Sequence, residues 1–190
     1  MASFSFDYAN SHWTVLDSNP GVDWRDPALR RWVVDDLAAA KKARWRFVGF
    51  HHPGFHSSKA HFNDQQMRVL ADVFEAGAVD LVFAGHVHNY QRSHPMRYQA
   101  LDGTWTLDTS FDGVKATRPS GVIYIVTGAG GAPLYDPAQQ DAPETWQSFT
   151  TRFVSKVHSL SVVEVDGGRL LLRQVAADGQ EVDRFTITKP

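Results

Sequence analysis

The sequence contains no cysteine. This absence excludes disulfide bonds and thiolate metal sites, so any transition metal would have to be held by imidazole nitrogen or by carboxylate or amide oxygen. No run of residues is long and apolar enough to cross a bilayer. Residues 1–4 show neither the basic start nor the apolar segment of a signal peptide. We therefore expect a cytoplasmic protein without a membrane partner.

A strong charge of either sign is also lacking, because the formal net charge is only −2. A nucleic-acid-binding protein would need a clustered basic face, so no nucleic-acid partner is expected. The hydrophobic content of 43% and the charged content of 21% are those of an ordinary globular protein. A chain of 190 residues fits one domain, 1–190, with a core of its own.

Strand patterns alternate with helix patterns in the first half of the chain. The three predicted strands are His12–Asp17, Arg46–Phe50 and Asp80–Ala84. The first helix is predicted to begin at Asp26-Pro27, an N-cap followed by proline, and to run to about Lys42. The second is predicted to open with a capping box at Asn63–Gln66 and to end at Gly77. This order is typical of a parallel sheet with crossover helices.

The second half of the chain is predicted to consist mostly of antiparallel strands. They are expected at Tyr98–Leu107, Gly121–Thr127, Ser159–Val165, Arg169–Val175 and Glu181–Ile187. Turn sequences at Asp166-Gly167-Gly168 and Asp178-Gly179 predict a β-meander at the end. The fold class is therefore α/β, with a parallel α/β first half and a mostly antiparallel second half.

Seven of the nine histidines lie between residues 51 and 94. His51 directly follows one predicted strand, and Gly85-His86-Val87-His88 follows another. Because the carboxyl ends of parallel strands meet at one edge of a sheet, these histidines are expected to converge. Three imidazoles and a water would form a catalytic metal site with an open position. His51, His86 and His88 are the predicted metal ligands, and capped loop histidines without a metal are the alternative.

Two further histidines are candidates for proton transfer. His61 and His52 could donate to a substrate oxygen or protonate a leaving group, although exposed loop histidines are the simpler interpretation. The glycine-rich loop Gly128–Gly131 follows a predicted strand and could hold an oxyanion with its amides. It lacks the lysine and spacing of a P-loop, so loop packing is the favoured interpretation.

These motifs, in this order, resemble the second half of a calcineurin-like metallophosphoesterase, nearest to the purple acid phosphatase branch. The matching segments are SFDYANSHWTVLDS, HHPGFHSS, FAGHVHNYQRS and GVIYIVTGAGGAPLY. The resemblance implies a partial β-sandwich flanked by helices. It also implies a site for one or two zinc, manganese or iron ions, with His51 and His86 on one ion and His88 on the other. His61 matches a position that faces the substrate phosphate.

The sequence also departs from the family. Gln91 stands where the branch often has glutamate, and Ala60 stands where plant-type members carry a second histidine. The metal motifs of the family's first half, which supply a bridging aspartate, a tyrosine and an asparagine, do not occur before His51. The resemblance therefore covers the C-terminal half alone, and the chain is predicted to be a truncated metallophosphoesterase.

Three functions are considered, and the first is the predicted one. The first is a metal-dependent hydrolase of small phosphoesters, either mono-, di- or triesters. The second is an inactive C-terminal fragment or one half of a split enzyme, and the third is a non-catalytic metal-binding assembly module. Half of a two-layer fold leaves sheet surface uncovered, so a homo-oligomer or a complementary N-terminal half is expected to cover it.

Overall fold

The structure is a computed structural model that describes residues 3–99 and 102–190. Its helices are α1 (Pro27–Ala39) and α2 (Ala71–Ala76), with 3-10 turns at Ala40–Lys42, Gln66–Leu70, Pro137–Asp141 and Pro143–Thr145. Its strands are β1 (Phe4–Tyr8), β2 (Ser11–Val15), β3 (Trp45–Phe50), β4 (Leu81–Ala84), β5 (Tyr90–Ser93), β6 (Met96–Gln99), β7 (Thr104–Leu107), β8 (Ile123–Thr127), β9 (Thr150–Val154), β10 (Ser159–Asp166), β11 (Arg169–Ala176) and β12 (Glu181–Thr188).

The main layer is a seven-stranded mixed sheet in the order β1-β2-β3-β4-β8-β5-β9. The central strands β2, β3, β4 and β8 are parallel, while β1, β5 and β9 pair antiparallel to their neighbours. A second layer is the antiparallel meander β10-β11-β12. The predicted α/β class, with a parallel first half and a mostly antiparallel second half, is confirmed.

Two hydrophobic cores hold these layers together. One lies between the large sheet and the helices and includes Val48, Leu70 and Phe74. The other lies between the two sheets, where Phe47 and Ile123 of the large sheet pack against the meander. The meander residues in this cluster are Leu170, Leu172, Phe185 and Ile187. The central strands β3, β4 and β8 are therefore covered on both faces, and the carboxyl ends of β3 and β4 lie at one edge of the sheet.

The first helix begins where the sequence predicts. The Asp26 carboxylate accepts hydrogen bonds from the amides of Ala28 and Leu29, and Pro27 occupies the first turn. Val33 and Leu37 are the buried residues of this helix. Its last predicted residues, up to Lys42, form a 3-10 turn instead of α-helix.

The predicted capping box at Asn63–Gln66 is wrong. The chain enters a 3-10 turn at Gln66, and no side chain caps that turn. The α-helical part starts later, at Ala71, and ends at Ala76 before Gly77. Asp64, which lies inside the supposed capping box, points its carboxylate at two histidines instead.

Three strands of the structure are not predicted from the sequence, namely β1, β5 and β9. The predicted strand Tyr98–Leu107 is a hairpin of β6 and β7, and residues 100 and 101 of that prediction lie outside the described residues. In residues 3–99 and 102–190, neither helix is long and apolar enough to span a membrane.

Candidate metal centre

The carboxyl ends of β3 and β4 bring His51 and His86 together. The two strands run parallel with Phe50 opposite Ala84, and the Gly85 amide donates to the His51 carbonyl at 3.0 Å. The chain then reverses at His86, whose φ of +60° is left-handed. The conformational strain therefore falls on His86 itself, and not on the glycine before it.

His86 and His51 are spaced as two ligands of one ion. His86 Nδ1 lies 3.2 Å from His51 Nε2. A tetrahedral ion with metal–nitrogen bonds of about 2.0–2.1 Å places its ligand nitrogens about 3.3 Å apart. His52 completes the group, because one ligand atom from each of the three side chains lies within 4.8 Å of the others. This trio, His51, His52 and His86, fits one ion.

Ser18 supports the loop that carries two of these rings. Its hydroxyl accepts hydrogen bonds from the amides of His51 and His52, at 3.1 and 2.9 Å. It also lies 3.0 Å from Nδ1 of the His52 ring. Ser18 follows β2, so three neighbouring strands contribute to the same edge. Nothing in the sequence pattern around residue 18 distinguishes this serine from an ordinary loop residue.

Asp64 joins a second histidine to the cluster. Its Oδ2 lies 2.9 Å from His61 Nδ1 and 3.2 Å from His86 Nε2. One ligand atom each from His61, Asp64 and His86 again lies within 4.8 Å of the others. The hydrogen bonds from His61 and His86 hold the pKa of Asp64 below its usual value. The sequence pattern around Asp64, which is that of a capping box, does not mark it as a site residue.

His88 lies apart from both groups. Its Nδ1 donates to the carbonyl of Pro133 at 2.9 Å, and its ring stacks on Tyr135 with centroids 4.1 Å apart. That hydrogen bond leaves Nε2 as the nitrogen that can bind a metal. Within the described part of the chain, no three-residue ligand group includes His88.

The glycine-rich loop packs beneath the His86–His88 turn. A methyl group on Gly128 would lie 2.2 Å from the carbonyl oxygen of Val87, so the close approach requires glycine. The Gly128 amide donates to the Asn89 carbonyl at 3.1 Å. Loop packing therefore accounts for this glycine, and its amide does not face an anion.

Burial favours the neutral form of the candidate ligand rings. Burial lowers the pKa of His51, and the neighbouring imidazoles His52 and His88 lower it further. The pKa values of His52 and His86 are lowered in the same direction, again chiefly by burial. Neutral imidazole is the form that binds a metal, so these rings are in the binding form at neutral pH. His56 is fully buried beside Phe62, and burial lowers its pKa to about 4.

The ligands present do not fit a second ion equally well. Among the described residues, Asp64 is the sole carboxylate in either three-residue group, and it also lies beside His61. A two-ion clamp needs ions about 3.5–4 Å apart with shared ligands. Both groups use the His86 ring, and a neutral imidazole offers one lone pair, so the two groups compete for the same ligand.

A cavity of about 440 Å³ opens beside the cluster. His52 and Asp64 form its wall on the site side. The remaining lining residues are Pro20, Val22, Asp23, Arg25 and Gln66. This volume suits a small molecule, with apolar contacts from the loop after β2 and one guanidinium at the rim.

Residues 4–90 match the family model of the calcineurin-like phosphoesterases. Over 132 residues, 67% of this chain, the sequence is 32% identical to purple acid phosphatase 21 of Arabidopsis thaliana. The chain belongs to the calcineurin-like metallophosphoesterase superfamily, in its purple acid phosphatase branch.

The comparisons also cover the rest of the chain. Probable inactive purple acid phosphatase 1 of the same plant is 27% identical over 198 residues, covering 98% of this chain and 30% of that protein. A purple acid phosphatase from yellow lupin (Lupinus luteus) seeds has the same fold, with a TM-score of 0.69 and 23% identity over 98% of this chain. This chain covers 32% of the lupin chain and 26% of purple acid phosphatase 21. It therefore spans about a quarter to a third of these relatives.

Proposed function

We propose that this protein is a metal-dependent phosphoester hydrolase. The observation that carries the proposal is the 3.2 Å approach of His86 Nδ1 to His51 Nε2 at the end of two parallel strands. Membership of a phosphoesterase family supports the same reaction class. The proposed ion is zinc, manganese or iron, since imidazole suits all of these metals.

The residues that would hold the ion are His51, His52 and His86. A bound divalent ion polarises a phosphoryl oxygen and lowers the pKa of a coordinated water. The protein contributes neutral ligands, because burial lowers the pKa of each ring. His52 thereby takes a ligand role, and its predicted role in proton transfer becomes the alternative. His88 would bind a second ion through its Nε2, if such an ion were present.

His61 is the proposed proton donor to the leaving group. Its Nδ1 is engaged by Asp64 at 2.9 Å, which leaves Nε2 for the substrate. A protonated imidazole carries a proton on each nitrogen, and this is the form that would donate from Nε2. His61 and His86 lie side by side, with ring centroids 4.3 Å apart. The substrate would therefore sit between the ion and His61, with its organic group in the adjacent cavity.

A second function is favoured by one observation. The relative that aligns over 98% of this chain is named a probable inactive purple acid phosphatase. The two candidate ligand groups among the described residues also share His86, so they do not supply two independent sets of three ligands. A metal-binding module or half of a split enzyme would show the metal affinity proposed here but no turnover by itself.

An aromatic row of two exposed rings and one half-buried ring supports self-association. We propose that a second copy of the chain covers this row, defined as Phe4, Phe6 and Trp13. The rings of Phe6 and Trp13 are stacked, with centroids 6.2 Å apart, and Phe4 and Phe6 are 53% and 45% exposed. β1 is the edge strand of the large sheet, and antiparallel pairing of two identical edges is self-complementary.

The function is tested with p-nitrophenyl phosphate mono-, di- and triesters. The purified protein is assayed after chelator treatment and again after addition of Zn²⁺ or Mn²⁺. We expect turnover that chelator removes and metal restores, and the preferred ester names the substrate class. His86→Ala is expected to lose both metal and turnover, whereas His158→Ala, at a loop histidine that contacts Ala132, keeps both. Metal binding without turnover of any ester would favour the binding module or the split enzyme.

A further inference from the structure

Asp64 occupies a position from which it can control two histidines at once. Its Oδ2 accepts from His61 Nδ1 at 2.9 Å and from His86 Nε2 at 3.2 Å. Both rings belong to the proposed site, and they differ in function, since one would hold the ion and the other would donate a proton. No other carboxylate among the described residues contacts either ring.

The two nitrogens of His86 face different partners. Nδ1 faces His51 Nε2 at 3.2 Å, and Nε2 faces Asp64 at 3.2 Å. A neutral imidazole carries one proton, so one nitrogen donates and the other offers a lone pair. A carboxylate accepts only, so the proton of His86 belongs on Nε2 and its lone pair on Nδ1.

A backbone turn holds Asp64 close to both rings. Asp64 donates its amide proton to the His61 carbonyl at 2.9 Å, which closes a turn from His61 to Asp64. His61 adopts a left-handed φ of +57° at the start of that turn. The turn thus carries the carboxylate and the His61 ring as one unit toward His86, although 22 residues separate Asp64 from His86 along the chain.

We propose that Asp64 is a positioning residue that sets the tautomers of both His86 and His61. By accepting the Nε2 proton of His86 it directs the Nδ1 lone pair toward the ion shared with His51 and His52. By accepting the Nδ1 proton of His61 it leaves Nε2 to face the substrate, and Nε2 carries the proton to be donated once the ring takes up its second proton. A carboxylate behind a metal-binding histidine orients the ring and raises its basicity. The second half of this inference rests on the proposed hydrolase function.

The tautomers are measured first, on metal-free wild-type protein, by long-range ¹H–¹⁵N correlation of the histidine rings. We expect the Nε2–H form at His86 and the Nδ1–H form at His61. An Nδ1–H form at His86 would overturn the inference, because the lone pair would then face Asp64. This measurement requires neither a variant nor metal binding.

Metal affinity provides the second measurement, by titration of the chelator-treated protein with Co²⁺ followed by visible absorption. Asp64→Ala is expected to weaken binding about 10- to 100-fold, the usual effect of removing the partner of a ligand histidine. Asp64→Asn is a second variant, because its amide oxygen can take the place of Oδ2 and accept both hydrogen bonds without the charge, and it should restore part of the affinity. Asp35→Asn removes the same charge at an exposed helix position beside Arg31 and is expected to bind as wild type.

The outcomes separate this inference from the proposed function. An affinity for Asp64→Ala within about twofold of wild type would overturn the positioning role, whatever the hydrolytic activity. The expected tautomers and a weakened variant, in a protein that hydrolyses no ester, would support the role of Asp64 at His86 and reject the hydrolase proposal. Hydrolysis by a protein whose His86 carries its proton on Nδ1 would support the hydrolase proposal and reject the role of Asp64 at His86.

Discussion

The guanidinium of Arg92 donates two hydrogen bonds to the Asp183 carboxylate, at 2.6 and 3.0 Å. Arg92 lies on β5, directly after the His86–His88 turn, and Asp183 lies on β12 of the meander. The Tyr90 hydroxyl donates to the same carboxylate at 2.8 Å. Asp183 is almost fully buried, so this ion pair joins the two sheets behind the candidate site.

Replacing Asp183 is expected to destabilise the protein strongly. Asp183→Ala leaves a buried guanidinium and the Tyr90 hydroxyl without their partner, and loss of one partner of a buried pair costs about 3–5 kcal/mol. Urea unfolding followed by circular dichroism measures the change. The control is Glu164→Ala, which removes an exposed pair with Arg173 and is expected to cost less than about 1 kcal/mol. Similar losses in the two variants would contradict this prediction.

His12 is expected to make stability depend on pH above neutrality. Its Nδ1 lies 2.7 Å from Asp7 and its Nε2 lies 3.1 Å from Asp36. Burial lowers the pKa of His12, but the hydrogen bonds to Asp7 and Asp36 outweigh it and raise that pKa above its ordinary value. A raised pKa in the folded state means that the stabilisation is complete below about pH 6.5 and is lost as pH rises through the folded pKa.

The test compares wild type with His12→Gln in urea unfolding at about pH 6 and about pH 8.5. The difference in unfolding free energy between the two proteins is expected to shrink at the higher pH, because the charged ring no longer contributes there. A difference that grows with pH would mean that the neutral ring, and not the charged one, is the stabilising form.

Loss of the proposed proton donor is expected to depend on the leaving group. His61→Asn should slow hydrolysis of an alkyl phosphate by about 10²–10⁴-fold, the usual contribution of general acid catalysis. With p-nitrophenyl phosphate the loss should be much smaller, because p-nitrophenolate leaves without protonation. The measurement is kcat for the two esters in both proteins. Equal losses for the two esters would assign His61 to substrate binding instead.

Gly128→Ala is expected to displace the His86–His88 turn, which packs against Gly128. The added methyl group would lie 2.2 Å from the Val87 carbonyl oxygen, so the backbone must shift. Overpacking of this kind costs about 1–3 kcal/mol, and the shift should also weaken Co²⁺ binding. Gly130→Ala is the matched control, because nothing lies within 4 Å of a methyl group at that position. Equal behaviour of the two variants in thermal unfolding and Co²⁺ titration would contradict the prediction.

The aromatic row is expected to hold the subunits together. Phe6→Ser removes a ring that stacks on Trp13, with centroids 6.2 Å apart, and should shift the protein toward monomer in size-exclusion chromatography with light scattering. Val114→Ser is the control, because Val114 is 76% exposed and lies far along the sequence from Phe4, Phe6 and Trp13. A wild-type monomer would reject self-association and would favour a complementary N-terminal half as the occupant of this surface.

Several parts of the fold could be predicted because local sequence determines them. The buried strands β3 and β4 are short apolar runs, and the Asp26-Pro27 signal for α1 depends on contacts within three residues. β5 could not be found in this way, since its sequence Tyr-Gln-Arg-Ser is largely polar. Its polar side chains are buried because distant partners satisfy them, as Asp183 satisfies Arg92.

The candidate site could also be predicted in part. Strand ends and the Gly-His-x-His motif were sufficient to predict that His51 and His86 meet, because parallel neighbours end at one edge. Asp64 was interpreted as part of a capping box, since residues 63–66 carry that pattern. Its actual partner, His86, lies 22 residues away. Ser18 lies 33 residues from His51 and carries no pattern at all.

The sequence by itself determined the fold class, the family and the imidazole character of the site, because strand periodicity, motif order and the absence of cysteine are properties of the chain. Tertiary structure decided which histidines approach one another, where the carboxylate lies and which nitrogen of His86 faces it. These features depend on side chains brought within about 3 Å by the pairing of β3 and β4 and by the turn from His61 to Asp64, and hydrogen bonds act only at that distance.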